Sequence, residues 1–139
     1  MKEYSLSQAP YTLTLTADFM GKDLLLRLTG GEAHIGAVAL ATPRPSRRHP
    51  DRTSADASVL CVSGHKEDLL TREIALRVSA ALGVTVCVVS GIHFAALDET
   101  QMDTVLLLAH GLTDTLLASP PQAPTTAAAP HAHNAAAKA

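Results

Sequence analysis

The chain has 139 residues and a formal net charge of −2, which fits a single domain with no overall attraction to nucleic acid or anionic membranes. Aromatic residues make up only 3% of the chain, so a surface that stacks bases is not expected. No N-terminal signal or membrane-spanning run is apparent, and Cys61 and Cys87 lie in apolar runs typical of reduced core residues. We therefore expect a cytoplasmic protein without nucleic-acid or membrane partners.

Three strands are predicted near the N-terminus. Residues 11–18 alternate apolar side chains with threonines, which is the pattern of a half-buried strand. Glycine-containing turns separate it from further strands over 24–29 and 33–41, and this close spacing indicates an antiparallel meander. The third strand is small and apolar, with few large neighbours of its own to cover it. We therefore predict that it packs against a second copy in a homodimer.

Residues 42–57 contain three prolines and four arginines, which predicts a long irregular loop. The arginines are either solvated surface charges or part of a flap that contacts an anion. Arg44 is the candidate for such a contact.

The second half of the chain predicts strand, helix and strand over 58–63, 66–82 and 84–89, so these two strands should be parallel. Asp98 opens the last helix, with Gln101 as its capping-box partner. The expected fold class is α+β: a mixed sheet of about five strands, formed by the meander and one βαβ unit, with two helices packed on it. The domain is expected to span residues 1–118, and the Ala- and Pro-rich segment 119–139 to be a disordered tail.

Three histidines lie in glycine-marked segments at predicted strand ends. They are His34, followed by Gly36, then His65 between Gly64 and Lys66, and finally His93. Glycine permits sharp turns and close backbone approach, while histidine donates, accepts, ligates metals or carries a proton near neutral pH. The segments either converge on one pocket or are unrelated loops, and His34 alone is equally compatible with a core position.

Gly64, His65 and Lys66 join a buried strand to a predicted helix start, where unpaired amides and the helix dipole favour an anion. The acidic residues that follow could satisfy the same dipole internally, which leaves plain capping as an alternative. His93 follows the other strand of the parallel pair at the same end, where ligands bind in α/β sheets. The two motifs should therefore be neighbours.

Catalytic and metal sites are not predicted. Three histidines with Glu32 would suit a zinc site, but no metal-type spacing supports one. Ser63 and Ser90 precede glycines without forming a nucleophile elbow.

The motifs Gly-Gly-Glu-Ala-His-Ile-Gly, Gly-His-Lys-Glu-Asp and Gly-Ile-His resemble the small accessory subunit of gallate decarboxylase operons, over about residues 10–118. The resemblance implies a chaperone that binds reduced prenylated FMN and hands it to a prenylated-flavin-dependent apo-decarboxylase. The resemblance implies a non-enzymatic accessory protein with a fold like that of the dimeric proteasome-assembly chaperones. One departure is that Ala95 and Ala96 are apolar where polar residues are expected.

Two other interpretations remain open at this stage. The chain could be a small metal- or histidine-dependent enzyme acting on aromatic acids, or a structural assembly factor. For a flavin carrier, the helix start at Lys66 would anchor the phosphate, and His34 and His93 would bind the ring.

Lys66→Ala is predicted to weaken binding of reduced prenylated FMN without abolishing it, because backbone amides at the helix start survive the substitution. A charge-assisted hydrogen bond contributes roughly 1.5–3 kcal/mol, so affinity should fall about tenfold to a hundredfold in anaerobic calorimetry. Lys22→Ala, in a predicted turn, is the control. If Lys66→Ala leaves the affinity unchanged, the phosphate does not bind at this position.

Overall fold

The computed structural model describes residues 1–62 and 67–125. Within them, six strands form one mixed sheet with the order β1-β2-β3-β6-β4-β5. The strands are β1 (Lys2–Gln8), β2 (Tyr11–Met20), β3 (Asp23–Gly31), β4 (Ala37–Pro45), β5 (Thr53–Cys61) and β6 (Val86–His93), and the helices are α1 (Asp68–Leu82) and α2 (Glu99–Ala118). The predicted α+β class with two helices on a mixed sheet is confirmed, with six strands where about five were expected.

The helices pack on a single face of the sheet, α1 against β4, β5 and β6, and α2 against β1 and β2. Alternate strand residues point into this layer, which accounts for the alternating burial along β3 and along most of β2. The largest fully buried side chains include Leu13, Leu15, Leu24, Leu26, Leu28, Ile74 and Leu112. Each contributes about 1.5–3 kcal/mol through removal of apolar surface from water. Among the described helices, none has the length and apolarity needed to cross a membrane.

The predicted meander is wrong in its third strand. β3 pairs with β6 in parallel, and β6 in turn pairs antiparallel with β4, so β6 lies between the two strands expected to be neighbours. The Val-rich β6 suits this central position, buried among strands on both sides. The meander is instead formed by β1, β2 and β3, because the polar first ten residues add an edge strand to β2.

The predicted loop over residues 42–57 is wrong at both ends, because only residues 46–52 lie outside strands. β4 and β5 form a hairpin whose register runs from Ala37 opposite Cys61 to Pro45 opposite Thr53. The pairing of β4 with β6 stops at Ala41. Beyond it β4 has only one neighbouring strand, and an edge position of this kind tolerates the missing N–H of Pro43 and Pro45.

The parallel arrangement predicted for the two strands of the βαβ unit is confirmed, since β5 and β6 are both antiparallel to β4, which lies between them. α1 begins at Asp68 and ends at Leu82, and its C-cap is Gly83, whose φ of 67° is suited to glycine. α2 begins as predicted, with a capping box in which the Gln101 amide donates to the Asp98 carboxylate at 2.8 Å. The predicted boundary of the tail stays a prediction, because residues 126–139 lie outside the described part.

We predict that Leu26→Ala lowers the free energy of unfolding by about 2–5 kcal/mol, because Leu26 is fully buried in the central strand β3 and truncation leaves a cavity. Leu107→Ala is the matched control, since Leu107 is 68% exposed on α2 and its truncation should change stability by less than about 0.5 kcal/mol. Urea unfolding of both variants tests this placement. Equal effects would contradict the assignment of the core to this face of the sheet.

Candidate functional site

The connection from β3 to β4 runs along the carboxyl end of β6. The Glu32 amide donates to the His93 carbonyl at 3.0 Å, and the Gly36 amide donates to the Ser90 carbonyl at 2.8 Å. This route places the His34 and His93 rings side by side, with centroids 6.4 Å apart and an interplanar angle of 80°. His34 is therefore not on the face of a strand, as the sequence indicated, but in the connection that precedes β4.

Glycines permit this close approach of two backbone segments. A Cβ on Gly91 would lie 1.7 Å from the His34 carbonyl oxygen, so no side chain fits there. Gly31 has a φ of +65°, and its Cβ would meet the His93 carbonyl oxygen at 2.0 Å. Gly36 faces the carboxylate of Glu67, which a Cβ would approach within 2.6 Å. Gly31, Gly36 and Gly91 of the sequence motifs are thus explained by contacts inside the site.

Glu67 is a site residue that the sequence analysis assigned only to the helix dipole. It occupies the N-cap of α1, yet its carboxylate does not cap the helix and turns towards β6 instead. Its Oε1 lies 3.4 Å from Nε2 of His34 and accepts from the Ile92 amide at 3.4 Å. An acidic residue at a helix start is so common that no sequence signal distinguishes this role from capping.

His34 has an acceptor near each ring nitrogen. Nδ1 lies 3.1 Å from the Glu32 carbonyl oxygen, and Nε2 faces the Glu67 carboxylate. The ring is thus held in orientation, whereas His93 is exposed beside it.

These residues line a shallow cavity of about 320 Å³, formed by Glu32, His34, Ile35 and His93. Ile35 is 62% exposed and supplies an apolar wall. Behind the cavity, Phe94 packs edge-on against Tyr11 at 5.0 Å and ties the end of β6 to β2. The cavity therefore offers two imidazoles, a carboxylate and an apolar contact on a well-packed base.

The other predicted site residues are Gly64, His65, Lys66 and Arg44. Gly64, His65 and Lys66 lie outside the described residues, so their predicted proximity to His93 stays a prediction. On either side of them, Val62 donates its amide to the Gly36 carbonyl at 2.8 Å, and Glu67 contacts His34.

Arg44 lies near the far end of β4, where its Nε donates to Asp56 at 2.9 Å. It lines a cavity with Gly83 at the end of α1, whereas Glu67 is at the start of that 15-residue helix, about 22 Å away along its axis. Within one chain, the structure does not bring Arg44 to the His34–His93 cavity.

Among the described residues, no group of three or more His, Cys, Asp or Glu side chains is arranged to hold a metal ion. Cys61 and Cys87 are not joined by a disulfide, and Cys61 is exposed, contrary to its predicted core position, because it ends an edge strand. Burial raises the pKa of the Cys87 thiol, which disfavours the reactive thiolate.

We predict that Gly91→Ala displaces the connection before β4, since the new Cβ would overlap the His34 carbonyl. Hydrogen exchange at the Glu32 and Gly36 amides should accelerate, and stability should fall by about 2 kcal/mol or more, towards the upper range for one substitution. Gly111→Ala is the control, because its Cβ would meet only the end of the flexible Leu6 side chain. Unchanged exchange at both amides in Gly91→Ala would contradict the packing described here.

Among solved structures, the chain is similar to one in the crystal structure of a novel chaperone complex for yeast 20S proteasome assembly, with a TM-score of 0.47 and 15% identity. That match covers 81% of this chain and 99% of the other. No curated protein matches the sequence. The family model of the prenylated flavin chaperone LpdD-like domain matches residues 7–119, which is most of the 139-residue chain. The chain therefore belongs to the family of prenylated flavin chaperones.

Proposed function

We propose that this protein binds reduced prenylated FMN in the His34–His93 cavity and delivers it to the apo form of a prenylated-flavin-dependent decarboxylase. The observation that carries the proposal is the pairing of two imidazoles beside a carboxylate and an exposed apolar side chain at the end of β6. Family membership supports a carrier role without turnover. We place this step in the cytoplasm.

The side chains of the cavity fit the chemistry of a flavin ring. The pyrimidine edge of a flavin presents carbonyl acceptors and a ring N–H donor. An imidazole N–H of His93 can donate to the former, and the Glu32 carboxylate can accept from the latter, while the His34 ring, whose nitrogens face the Glu32 carbonyl and the Glu67 carboxylate, can pack against the flavin. Ile35 supplies apolar contact for the uncharged part of the ring system.

The size of the cavity is also informative. Small-molecule sites commonly enclose about 300–1,000 Å³, and this cavity, at about 320 Å³, is at the low end of that range. It can therefore hold only part of a nucleotide-sized ligand. The phosphate is predicted to lie at Gly64, His65 and Lys66, where the positive charge would offset the nearby carboxylates of Glu67 and Asp68.

The exposure of the cavity suits transfer rather than storage. Ile35 and His93 are both exposed, so a receiving enzyme can reach the ligand from the same side. A carrier also needs no nucleophile, only contacts that hold the ligand and then release it. Reversible binding at an open surface meets both requirements.

The test is anaerobic calorimetry with reduced prenylated FMN and with ribitol phosphate, a fragment that keeps the phosphate and lacks the ring. His34→Ala and His93→Ala should each lower affinity for the whole cofactor about tenfold to a hundredfold, since each removes a ring contact. Binding of the fragment should change little. His110→Ala is the control, because His110 lies on α2 beside Glu73, away from the cavity.

Delivery is tested by adding the loaded protein to an apo-decarboxylase and measuring the return of decarboxylation, with free cofactor for comparison. The wild-type protein should activate faster than His34→Ala at equal cofactor concentration. If the wild-type protein does not bind the reduced cofactor, the proposed function fails. If His93→Ala weakens the fragment as much as the cofactor, the ring does not lie in this cavity.

A further inference from the structure

The edge strand β5 presents backbone groups that no strand of the described chain pairs with, since β5 is the last strand in the sheet order. One step beyond the last pair of the β4–β5 ladder, the Val62 amide donates to the Gly36 carbonyl at 2.8 Å. Hydrogen bonding alternates along antiparallel strands, so the even-numbered residues of β5 bond to β4. The residues whose amides and carbonyls point away from β4 include Ala55, Ala57 and Val59.

This edge lacks most of the features by which natural proteins protect an exposed strand. Edge strands are commonly protected by charged side chains, prolines or short length. β5 has nine residues, no proline and one charged side chain, Asp56, which accepts from Arg44 on the neighbouring strand at 2.9 Å. Asp56 lies on the open face of the sheet, opposite the helices, and so leaves the edge accessible. At the other edge of the sheet, β1 carries Lys2 and Glu3.

Beside this edge, α1 presents an exposed stripe of side chains. Leu69, Arg72 and Leu76 are three and four residues apart, which places them on one side of the helix. Together with Ala55 of β5 they line a groove of about 630 Å³. Leu69 is 76% exposed. The groove thus combines the backbone groups of an accessible strand edge with apolar side chains and a cation on the adjoining helix.

We propose that this groove binds an extended segment of another protein, which adds to the sheet beside β5 as a further strand. The segment carries apolar side chains and an acidic one, in alternation with polar ones, on the face turned towards α1. Main-chain hydrogen bonds to β5 hold the segment, and the stripe on α1 selects its side chains. The proposal does not depend on which ligand the His34–His93 cavity binds.

Charge selects the chemistry of the segment. The groove is lined by Arg72, Arg77 and one carboxylate, that of Glu73. Arg77 pairs with Asp114 and Glu73 lies 3.9 Å from His110, so both are engaged with α2. Arg72 makes no ion pair within the described part of the chain. An acidic side chain complements it, whereas a second copy paired through the same edge would add another Arg72 and no unengaged carboxylate from its own groove.

The spacing of the stripe fits an extended segment. Leu69 and Leu76 are about 10.5 Å apart along the helix axis, with Arg72 between them. The first and fifth residues of a strand share a face and are about 13 Å apart. Exposed side chains of this length can absorb the difference of about 2.5 Å, because they lean along the groove. An apolar, an acidic and an apolar residue at alternate positions therefore match the stripe in either strand direction.

The groove also lies close to the His34–His93 cavity. α1 begins next to Glu67, whose carboxylate contacts His34. Leu69 is only two residues further along the chain. A protein that docks its segment along α1 is therefore held beside the cavity end of the sheet.

Docking is tested by fluorescence anisotropy with the labelled peptide Thr-Val-Thr-Glu-Thr-Val-Thr, which presents valine, glutamate and valine on one face. The full-length protein should bind it saturably. Arg72→Glu should weaken binding about tenfold, because attraction is replaced by repulsion. Lys22→Glu is the matched control: it makes the same change of charge at an exposed turn between β2 and β3 and should leave affinity unchanged.

A charge-exchanged peptide completes this test. With lysine in place of glutamate, the peptide should bind Arg72→Glu more tightly than it binds the wild-type protein. A dissociation constant above about 1 mM for the original peptide and the wild-type protein overturns the proposal. Equal affinity of each peptide for the two proteins overturns it as well.

The apolar contact is tested with Leu69→Ala, which should weaken binding of the original peptide about threefold to tenfold through lost apolar burial. Leu107→Ala is the matched control, since Leu107 is 68% exposed on α2, away from the groove. Both side chains are largely exposed, so neither substitution should unfold the domain. Equal affinities of the two variants would contradict docking along α1.

Strand addition is tested by N-methylation of the peptide. The N–H groups of a strand point alternately to its two sides, so methylating one alternate set should abolish binding and methylating the other should not. Saturation with the unmodified peptide should also slow hydrogen exchange at the Ala55, Ala57 and Val59 amides. If both methylated peptides bind like the original, or exchange at these amides does not slow, no strand is added and the proposal is overturned.

Discussion

The central position of β6 is the constraint on which the candidate site depends. β6 pairs in parallel with β3 and antiparallel with β4, so the chain leaving β3 must pass the carboxyl end of β6 before it enters β4. That passage is the segment 32–36, in which the Glu32 and Gly36 amides donate to the His93 and Ser90 carbonyls. Strand order brings the two histidines together without any local sequence relation between them.

A passage this tight requires residues without side chains at the points of contact. Gly91 and Gly31 each face a carbonyl group so closely that a Cβ would overlap it. Gly36 plays the same part opposite Glu67, the residue that turns from the start of α1 towards His34. The helix thus loses its own side-chain cap, and the carboxylate instead orients a site residue. The side chain of Glu67 therefore orients the His34 ring and does not stabilise the N-terminus of α1.

Local signals in the sequence predicted the two helices and the capping box at Asp98, because periodicity and caps involve residues a few positions apart. The rule that ligand sites lie at carboxyl ends of parallel strands predicted that His93 neighbours Gly64, His65 and Lys66, whereas the convergence of His34 with His93 was one of two open alternatives. The insertion of β6 between β3 and β4 was not predicted, since pairing across more than fifty residues leaves no local trace. The role of Glu67 was hidden for a similar reason: its partner is 33 positions away.

The one-sided arrangement of helices has a consequence for a carrier. A second helical layer on the open face would enclose the apolar side chains of Leu40 and Leu60, and nothing would remain for a partner to cover. With helices on one face only, the chain leaves both an apolar face and a shallow cavity at its end. Deep burial would hold a ligand tightly but slow its release, because every contact must break before the ligand leaves. A cavity completed by a surface from outside the chain lets the affinity change with the approach of that surface. Loading and transfer can then be controlled by contacts between proteins, with little change inside the domain itself.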